Sequence, residues 1–283
     1  MSHQPILGVD LGGTKVSVGR VAEGRIIEER TREVSALAAA QVVIDEIIET
    51  IEGVFDSSVA GIGVGVPGLV DVEKGVVFEF VNIPSWREVA LGRILEEKFH
   101  VPVRINNDAN CFAVGEKHFG QGKSFRDLVG LTLGTGMGAG LIINGTLYSG
   151  HNCGAGEFGM IPYRDSDYES YCSGKYFISQ HAVSGKLLHE RAVTGDRQAL
   201  EIFDRFGEHV GHACHLVLYA VDPEVIILGG SVSSAFPFFE AGMRRTLSEF
   251  AYKRTLSRIE IRVSQEPRIA VLGAAALCLD RKV

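Results

Sequence analysis

Within six residues, Asp10-Leu-Gly-Gly-Thr-Lys15 sets out a carboxylate, two glycines, a hydroxyl and an ammonium. A glycine turn between two strands points several backbone N–H groups into one concave space, and such a nest binds phosphate oxygens. Gly12 and Gly13 supply bare backbone, Thr14 a further donor and Lys15 a positive charge. Asp10, at the end of a strand, is placed to hold a hydrated Mg²⁺. The segment is not a P-loop, nor a dinucleotide-binding Gly-x-Gly-x-x-Gly, because it runs on into a strand rather than a helix. A plain hairpin turn is the alternative use of the same residues.

A second glycine-rich segment, Leu133–Gly140, alternates glycine with other residues and leaves one strand surface bare. With Gly134, Thr135 and Gly136 at its turn, it reads as a second phosphate nest. A bulge needed only for packing is the competing reading. Val225–Ser231 is a third strand-to-glycine turn, where Gly229 and Gly230 could flank an adenine or ribose.

The run Asn106-Asn107-Asp108-Ala109-Asn110 follows a short apolar strand and opens a helix. That is a usual ligand position in α/β folds. Asp108 suits a general base and Asn107 a clamp on substrate hydroxyls. Helix capping explains one of these side chains but not four polar residues in five. Glu157, flanked by glycines, suits a pair of vicinal hydroxyls, or is an exposed loop residue. His209, His212 and His215 recur every three residues, but a drift of about 60° per step splays the first from the third. A solvated or interface stripe is expected there rather than a metal site.

The elements that position these residues follow from periodicity. Ile6–Asp10, Val16–Val21 and Arg25–Arg30 read as three short strands. The spacing predicts helices over Leu37–Phe55, Trp86–Phe99, Asp108–Phe119, Tyr176–Val193, Arg197–Val221, Pro237–Arg254 and Ala270–Asp280. Strands are predicted at Gly61–Val66, Val76–Phe80, Val101–Ile105, Leu128–Leu133, Ala139–Ile143, Thr146–Tyr148, Val225–Leu228 and Ile259–Val263. Gly8–Lys15 aligns with Gly130–Met137, 122 residues later. Two copies of one supersecondary unit predict two similar α/β domains, with ligand expected in the cleft between them.

Composition narrows the class. Glycine accounts for 34 of 283 residues, and ten of them fall within residues 130–159, so the excess is local to the candidate loops. With 28 basic and 35 acidic residues the formal charge is −7, which gives no basic field for nucleic acid. No apolar run approaches the roughly 20 residues of a membrane span, and no secretory signal is evident. The five cysteines are scattered and odd in number, so free thiols and a cytoplasmic location are expected.

Taken together the motifs resemble the ROK family of sugar kinases and related repressors, from Gly8 to about Ala276. The family's phosphate motif is similar to Asp10–Lys15. Its Gly-x-Gly-x-Pro-Gly segment is similar to Gly63–Gly68 and its Asn-Leu-Pro-x-Trp to Asn82–Trp86. Its Asn-Asp-Ala-Asn stands complete at Asn107–Asn110, its second phosphate motif at Leu133–Gly140, and its adenosine motif at Val225–Ser231. The resemblance implies an α/β, actin/hexokinase-like fold with a duplicated ribonuclease H-like motif. It places residues 1–105 with a C-terminal helix 270–283 in a small domain and 106–269 in a large one. It further implies that Asp108 deprotonates a sugar hydroxyl, and that Asn82, Asn107, Asp108 and Glu157 hold the hexose with Gly68 nearby.

Two departures stand out. The family's Gly-Glu-x-Gly-His ends here in Met160, and the Cys-rich zinc loop is replaced by the short, cysteine-free Ile161–Asp167. The chain resumes at Tyr168-Glu169-Ser-Tyr-Cys-Ser-Gly174, similar to the family's Leu-Glu-x-Tyr-x-Ser-Gly, so Glu169 is expected to keep a sugar-binding carboxylate. No zinc site is expected; a site from His151, Cys153 and Cys172 is the weaker alternative. The resemblance implies ATP- and Mg²⁺-dependent phosphorylation of a hexose at its 6-hydroxyl, glucose first. N-acetylglucosamine, N-acetylmannosamine and fructose are the alternative substrates. An inactive sugar-binding regulator is the other class. The first strand begins at Ile6, so no preceding helix-turn-helix is expected, and Asp108 is present. A homodimer, or a tetramer, is the assembly the resemblance implies.

Overall fold

A computed structural model describes residues 4–78, 80 and 82–279. In chain order the elements begin with strands β1 (Ile6–Leu11), β2 (Lys15–Ala22) and β3 (Arg25–Glu33), helix α1 (Ala40–Glu52) and strand β4 (Ile62–Val66). A small sheet follows, made of β5 (Leu69–Asp71), β6 (Val76–Phe78) and β7 (Glu88–Val89). Next come α2 (Leu91–Phe99), β8 (Val103–Asn107), α3 (Asp108–His118), β9 (Leu128–Leu133), β10 (Met137–Ile143) and β11 (Thr146–Leu147). A short hairpin, β12 (Pro162–Tyr163) and β13 (Ser166–Asp167), leads into α4 (Tyr168–Cys172), α5 (Gly174–His181), α6 (Gly185–Val193) and α7 (Arg197–Ala220). The chain closes with β14 (Val225–Gly229), α8 (Phe236–Leu247), α9 (Lys253–Leu256), β15 (Glu260–Val263) and α10 (Ile269–Ala276). Among the described residues no helix is long and apolar enough to cross a membrane.

Of the described residues, those within Met1–Lys123, Gly140–Ala155 and Glu266–Val283 form one compact unit. Those within Ser124–Ala139 and Gly156–Gln265 form a second. The first sheet has the order β3-β2-β1-β4-β8 and the second β11-β10-β9-β14-β15. The two orders are the same when each sheet is numbered along its own stretch of chain. The repeat read from Gly8–Lys15 and Gly130–Met137 is therefore a repeat of topology. In the first sheet β1, β4 and β8 run parallel; in the second β9, β14 and β15 do.

The first unit is built around a close approach. Gly8 of β1 pairs with Gly63 of β4. A Cβ on either would fall 1.9 Å from the Val271 carbonyl or 1.8 Å from that of Ala274. The helix α10 thus lays its backbone directly on the sheet. Its sequence, Ile-Ala-Val-Leu-Gly-Ala-Ala-Ala, is apolar all round, as expected for a helix with no solvent face. On the other face α1 buries Val43, Ile44, Ile47 and Ile51, the three- and four-residue spacing read from the sequence. The second unit packs the 24-residue α7 against α8. Gly207 permits it, since a Cβ there would fall 2.1 Å from the Phe239 carbonyl.

Three predicted helices differ from the structure. Trp86–Phe99 is helical only from Leu91, because Trp86 is drawn into a turn and packs edge-on against Phe80 at 5.6 Å. Tyr176–Val193 is two helices, divided where Ala182 adopts φ 51° and caps α5. Pro237–Arg254 likewise stops at Leu247, and Lys253–Leu256 is a separate turn. For the last predicted helix, Asp280 lies outside the described residues.

Candidate functional site

The first unit brings together Asp10, Lys15, Gly68, Asn82, Asn107 and Asp108. Strand β8 ends at Asn107, whose extended backbone and side chain form the N-cap of α3. Asn107 Oδ1 accepts from the amides of Ala109 (2.8 Å) and Asn110 (3.4 Å). Its Nδ2 donates to the Gly68 carbonyl at 3.2 Å. The cap is therefore Asn107, and Asp108 is left in the first helical turn, where Oδ1 accepts from Ala109 N at 2.8 Å. Gly68 has φ 104°, a conformation that suits glycine, and the bond to its carbonyl ties the Pro-Gly turn to the Asn107–Asp108 turn.

Beneath them Asn106 is buried and organises the turn. Its Oδ1 accepts from Asn107 N (2.8 Å), Asn110 Nδ2 (2.8 Å) and Cys153 Sγ (3.2 Å). From the sequence only Asn107 and Asp108 of this run take named roles, and the structural part played by Asn106, Asn110 and Cys153 shows only in the fold. Asn106 and Cys153 also line a cavity of about 840 Å³ with Asp71, Tyr148, His151 and Asn152.

Burial pushes the Asp108 carboxyl above the ordinary carboxylate range. Asp10 is pushed up to about 6, first by burial and then by the Asp108 charge, against opposing pulls from Lys15 and Arg268. A partly buried acidic pair with hard oxygen donors fits a divalent cation that keeps its waters and takes one or two carboxylates. The first glycine turn is short: Gly12 N donates to the Lys15 carbonyl at 2.9 Å. A Cβ on Gly13 would fall 2.4 Å from Asn82 Cβ, so the turn rests against Asn82.

The second unit holds the remaining residues. Gly134 N donates to the Gly136 carbonyl at 2.9 Å, closing the second turn. Gly230, at φ 82°, passes so close to strand β9 that a Cβ would lie 2.4 Å from the Leu133 carbonyl. Gly134 and Thr135 line a cavity of about 450 Å³ with Lys175, Phe203, Ser231 and Val232. That volume lies within the range of small-molecule sites. Phe203 and Lys175 reach it from helices α7 and α5, and no motif flagged either residue.

Glu157 is exposed and precedes the short turn Phe158–Met160. The loop that carries it is held on β10: a Cβ at Gly156 would fall 2.3 Å from the Ala139 carbonyl. Glu169, expected beside the sugar, is engaged with its own unit. Its Oε2 accepts from Met137 N at 3.1 Å, and its Oε1 lies 2.5 Å from Lys175 Nζ.

Where the zinc loop was expected to be missing stands the β12–β13 hairpin. Tyr163 stacks on Tyr168 with centroids 4.3 Å apart and meets Tyr171 edge-on at 5.4 Å. The Tyr163 hydroxyl is 3.2 Å from His209 Nδ1. His209 is thus a core residue and not part of a solvated stripe. The hairpin covers it, and burial pushes its imidazole down to about 4. Among the described residues no group of three or more His, Cys, Asp or Glu side chains could hold a metal ion.

A model of the ROK family matches residues 6–281. The chain is 32% identical to a glucokinase of Thermotoga maritima, an alignment spanning 99% of each protein. It is 29% identical to an N-acetyl-D-glucosamine kinase of Yersinia pseudotuberculosis, spanning 97% of this chain and 99% of that one. It resembles the crystal structure of a ROK family glucokinase from Streptomyces griseus in complex with glucose and AMPPNP. The TM-score is 0.84 at 27% identity, covering 99% of this chain and 100% of that one.

Proposed function

The chain belongs to the ROK family and has its actin/hexokinase-like fold, and from that premise we propose that it is a sugar kinase that phosphorylates a hexose at the 6-hydroxyl with ATP. Glucose is the first choice of substrate. The observation that carries the reading is Asp108. It is freed from capping by Asn107, and its proton affinity is raised by burial.

In the proposed reaction the sugar O6 attacks the γ-phosphorus. The O6–Pγ bond forms, the bond from Pγ to the β,γ-bridging oxygen breaks, and ADP leaves. The O6 proton passes to Asp108. A raised carboxyl pKa makes that carboxylate a stronger base. Asn107, fixed by its bond to Gly68, orients the acceptor together with Asn82 and Glu157, and Glu169 is its further carboxylate. Phosphate oxygens are held by the amides of Gly12 and Gly13, by Thr14 and Lys15, and by Gly134, Thr135 and Gly136. Gly229 and Gly230 flank the nucleoside. Phosphoryl transfer depends mainly on positioning and electrostatic stabilisation, which is what these groups provide. Asp10, through water, is the residue that would hold Mg²⁺; when bound, the ion offsets charge on the phosphates.

The resemblance to both a glucokinase and an N-acetylglucosamine kinase supports the kinase class and leaves the acceptor to experiment. The same reading includes a cytoplasmic homodimer, checked by light scattering. A coupled assay of ADP release over glucose, N-acetylglucosamine, N-acetylmannosamine and fructose tests it. Turnover with glucose above the others is expected. Turnover with none of them would favour a sugar-binding regulator.

A further inference from the structure

The internal repeat aligns Lys15 of the first glycine turn with Met137 of the second. The second turn therefore has no cation of its own at that step. A lysine reaches it from another element. Lys175 is the second residue of α5, and Gly174 N, one residue earlier, donates to the Gly134 carbonyl at 2.8 Å. That bond fixes the start of α5 to the glycine turn. Lys175 then lines the same 450 Å³ cavity as Gly134, Thr135 and Ser231.

Its ammonium is 2.5 Å from Glu169 Oε1, while Glu169 Oε2 holds Met137 N. A Cβ at Gly136 would lie 2.3 Å from Glu169 Oε2, so this carboxylate fills the space left by the missing side chain. The lysine side chain is 52% exposed, and an ion pair so open to water contributes little. A lysine is a compact charge on a flexible stem, free to swing between acceptors. A polyphosphate beside it offers more negative charge than one carboxylate.

We propose that Lys175 is the phosphate-binding cation of the second glycine turn. It is held by Glu169 when the nucleotide is absent and turns to the phosphate oxygens when ATP binds. Glu169 Oε1 is then released to accept a sugar hydroxyl. This deepens the kinase reading and rests on it. By reciprocity, nucleotide and sugar strengthen each other's binding through the same exchange.

Calorimetric titration of the full chain with Mg²⁺-AMPPNP and, separately, with adenosine tests the assignment. Lys175→Met is expected to weaken AMPPNP at least tenfold and to leave adenosine within twofold. Lys175→Arg is expected to restore most of the AMPPNP affinity. Glucose is expected to bind the wild type more tightly with AMPPNP present, and Lys175→Met to lose that gain. Thermal unfolding of each variant checks that the fold is intact. The proposal is overturned if Lys175→Met weakens AMPPNP less than twofold, or weakens AMPPNP and adenosine alike. A wild type that binds adenosine and AMPPNP equally overturns it too. A wild type that binds neither overturns the kinase reading and this inference with it.

Discussion

The two glycine turns share a backbone plan and differ in where their charge comes from. Both follow the first strand of a sheet with the same strand order. In the first, Asp10 and Lys15 flank the turn within six residues, and burial and then the Asp108 charge raise the proton affinity of Asp10. In the second, Thr132 and Met137 occupy the aligned positions, and charge arrives from Lys175 and Glu169 on later helices. The repeat has kept what the backbone must do, which is to turn tightly and present amides. Charged side chains are free to come from any element that passes close enough. The first turn so concentrates titratable side chains, whereas the second opens into a cavity walled by Phe203 and Val232.

The largest effect is expected at the acidic pair of the first turn. Asp108→Asn should lower kcat by about 10²- to 10⁴-fold, the usual contribution of a general base. Near-normal turnover in that variant would remove Asp108 from the chemistry. The same substitution should raise stability at neutral pH. A carboxyl whose pKa is raised on folding stabilises the protonated folded state at low pH, and that contribution is lost as pH rises. Above that raised pKa the ionised form costs stability, and asparagine relieves it. The gain in Tm should shrink as pH falls through the raised pKa of Asp108. In the wild type, kcat should fall on the acid side from a pH above the ordinary carboxylate range. A profile flat down to pH 4 would contradict the assignment.

The second turn is tested by two neighbouring glycines. A methyl at Gly134 meets nothing within 4 Å, whereas one at Gly136 falls on Glu169. Gly134→Ala should leave Tm unchanged and raise KM for ATP about tenfold, because the methyl enters the space the nucleotide needs. An intrusion of this kind costs about 1–3 kcal/mol. Gly136→Ala should lower Tm as well, since Glu169 must give up Met137 N. Equal behaviour of the two variants would erase the distinction between space kept for a ligand and space filled by Glu169.

How far such differences were legible depends on the range over which they are made. The glycine turns, the Asn107–Asn110 motif and the duplicated sheet could be read because each is local: a strand, a turn and a polar run in one short segment. Asp108 could be singled out, but its release from capping could not. Asn107 and Asp108 are equally good caps, and only the backbone at Asn107 decides between them. Lys175 was invisible because nothing around it suggests a phosphate; it matters only through the bond from Gly174 N to the Gly134 carbonyl. The burial of His209 within the histidine stripe was missed for the same reason. Residues 46 positions apart meet at Tyr163 and His209, and helical spacing carries no information about what covers a helix face.

That last contact carries the smallest expected effect and bears on the second unit alone. Tyr163 sets its ring between Tyr168, Tyr171 and His209, and its hydroxyl on His209 Nδ1. Tyr163→Phe keeps the ring contacts and removes one hydrogen bond, so a loss of about 1 kcal/mol at pH 7 is expected from chemical denaturation. The pair also sets a direction with pH. His209 is held neutral by burial, with its pKa pushed down to about 4, while in the unfolded chain it titrates near 6.5. Between these values the unfolded state binds the extra proton, so this contribution to stability declines as pH drops from about 6.5 to about 4. His209→Gln should flatten that part of the wild-type stability profile. If packing alone holds the hairpin, EDTA should leave the Tm of the wild type unchanged. A fall in Tm on chelation, restored by zinc, would mean that a metal does what the tyrosines are held here to do.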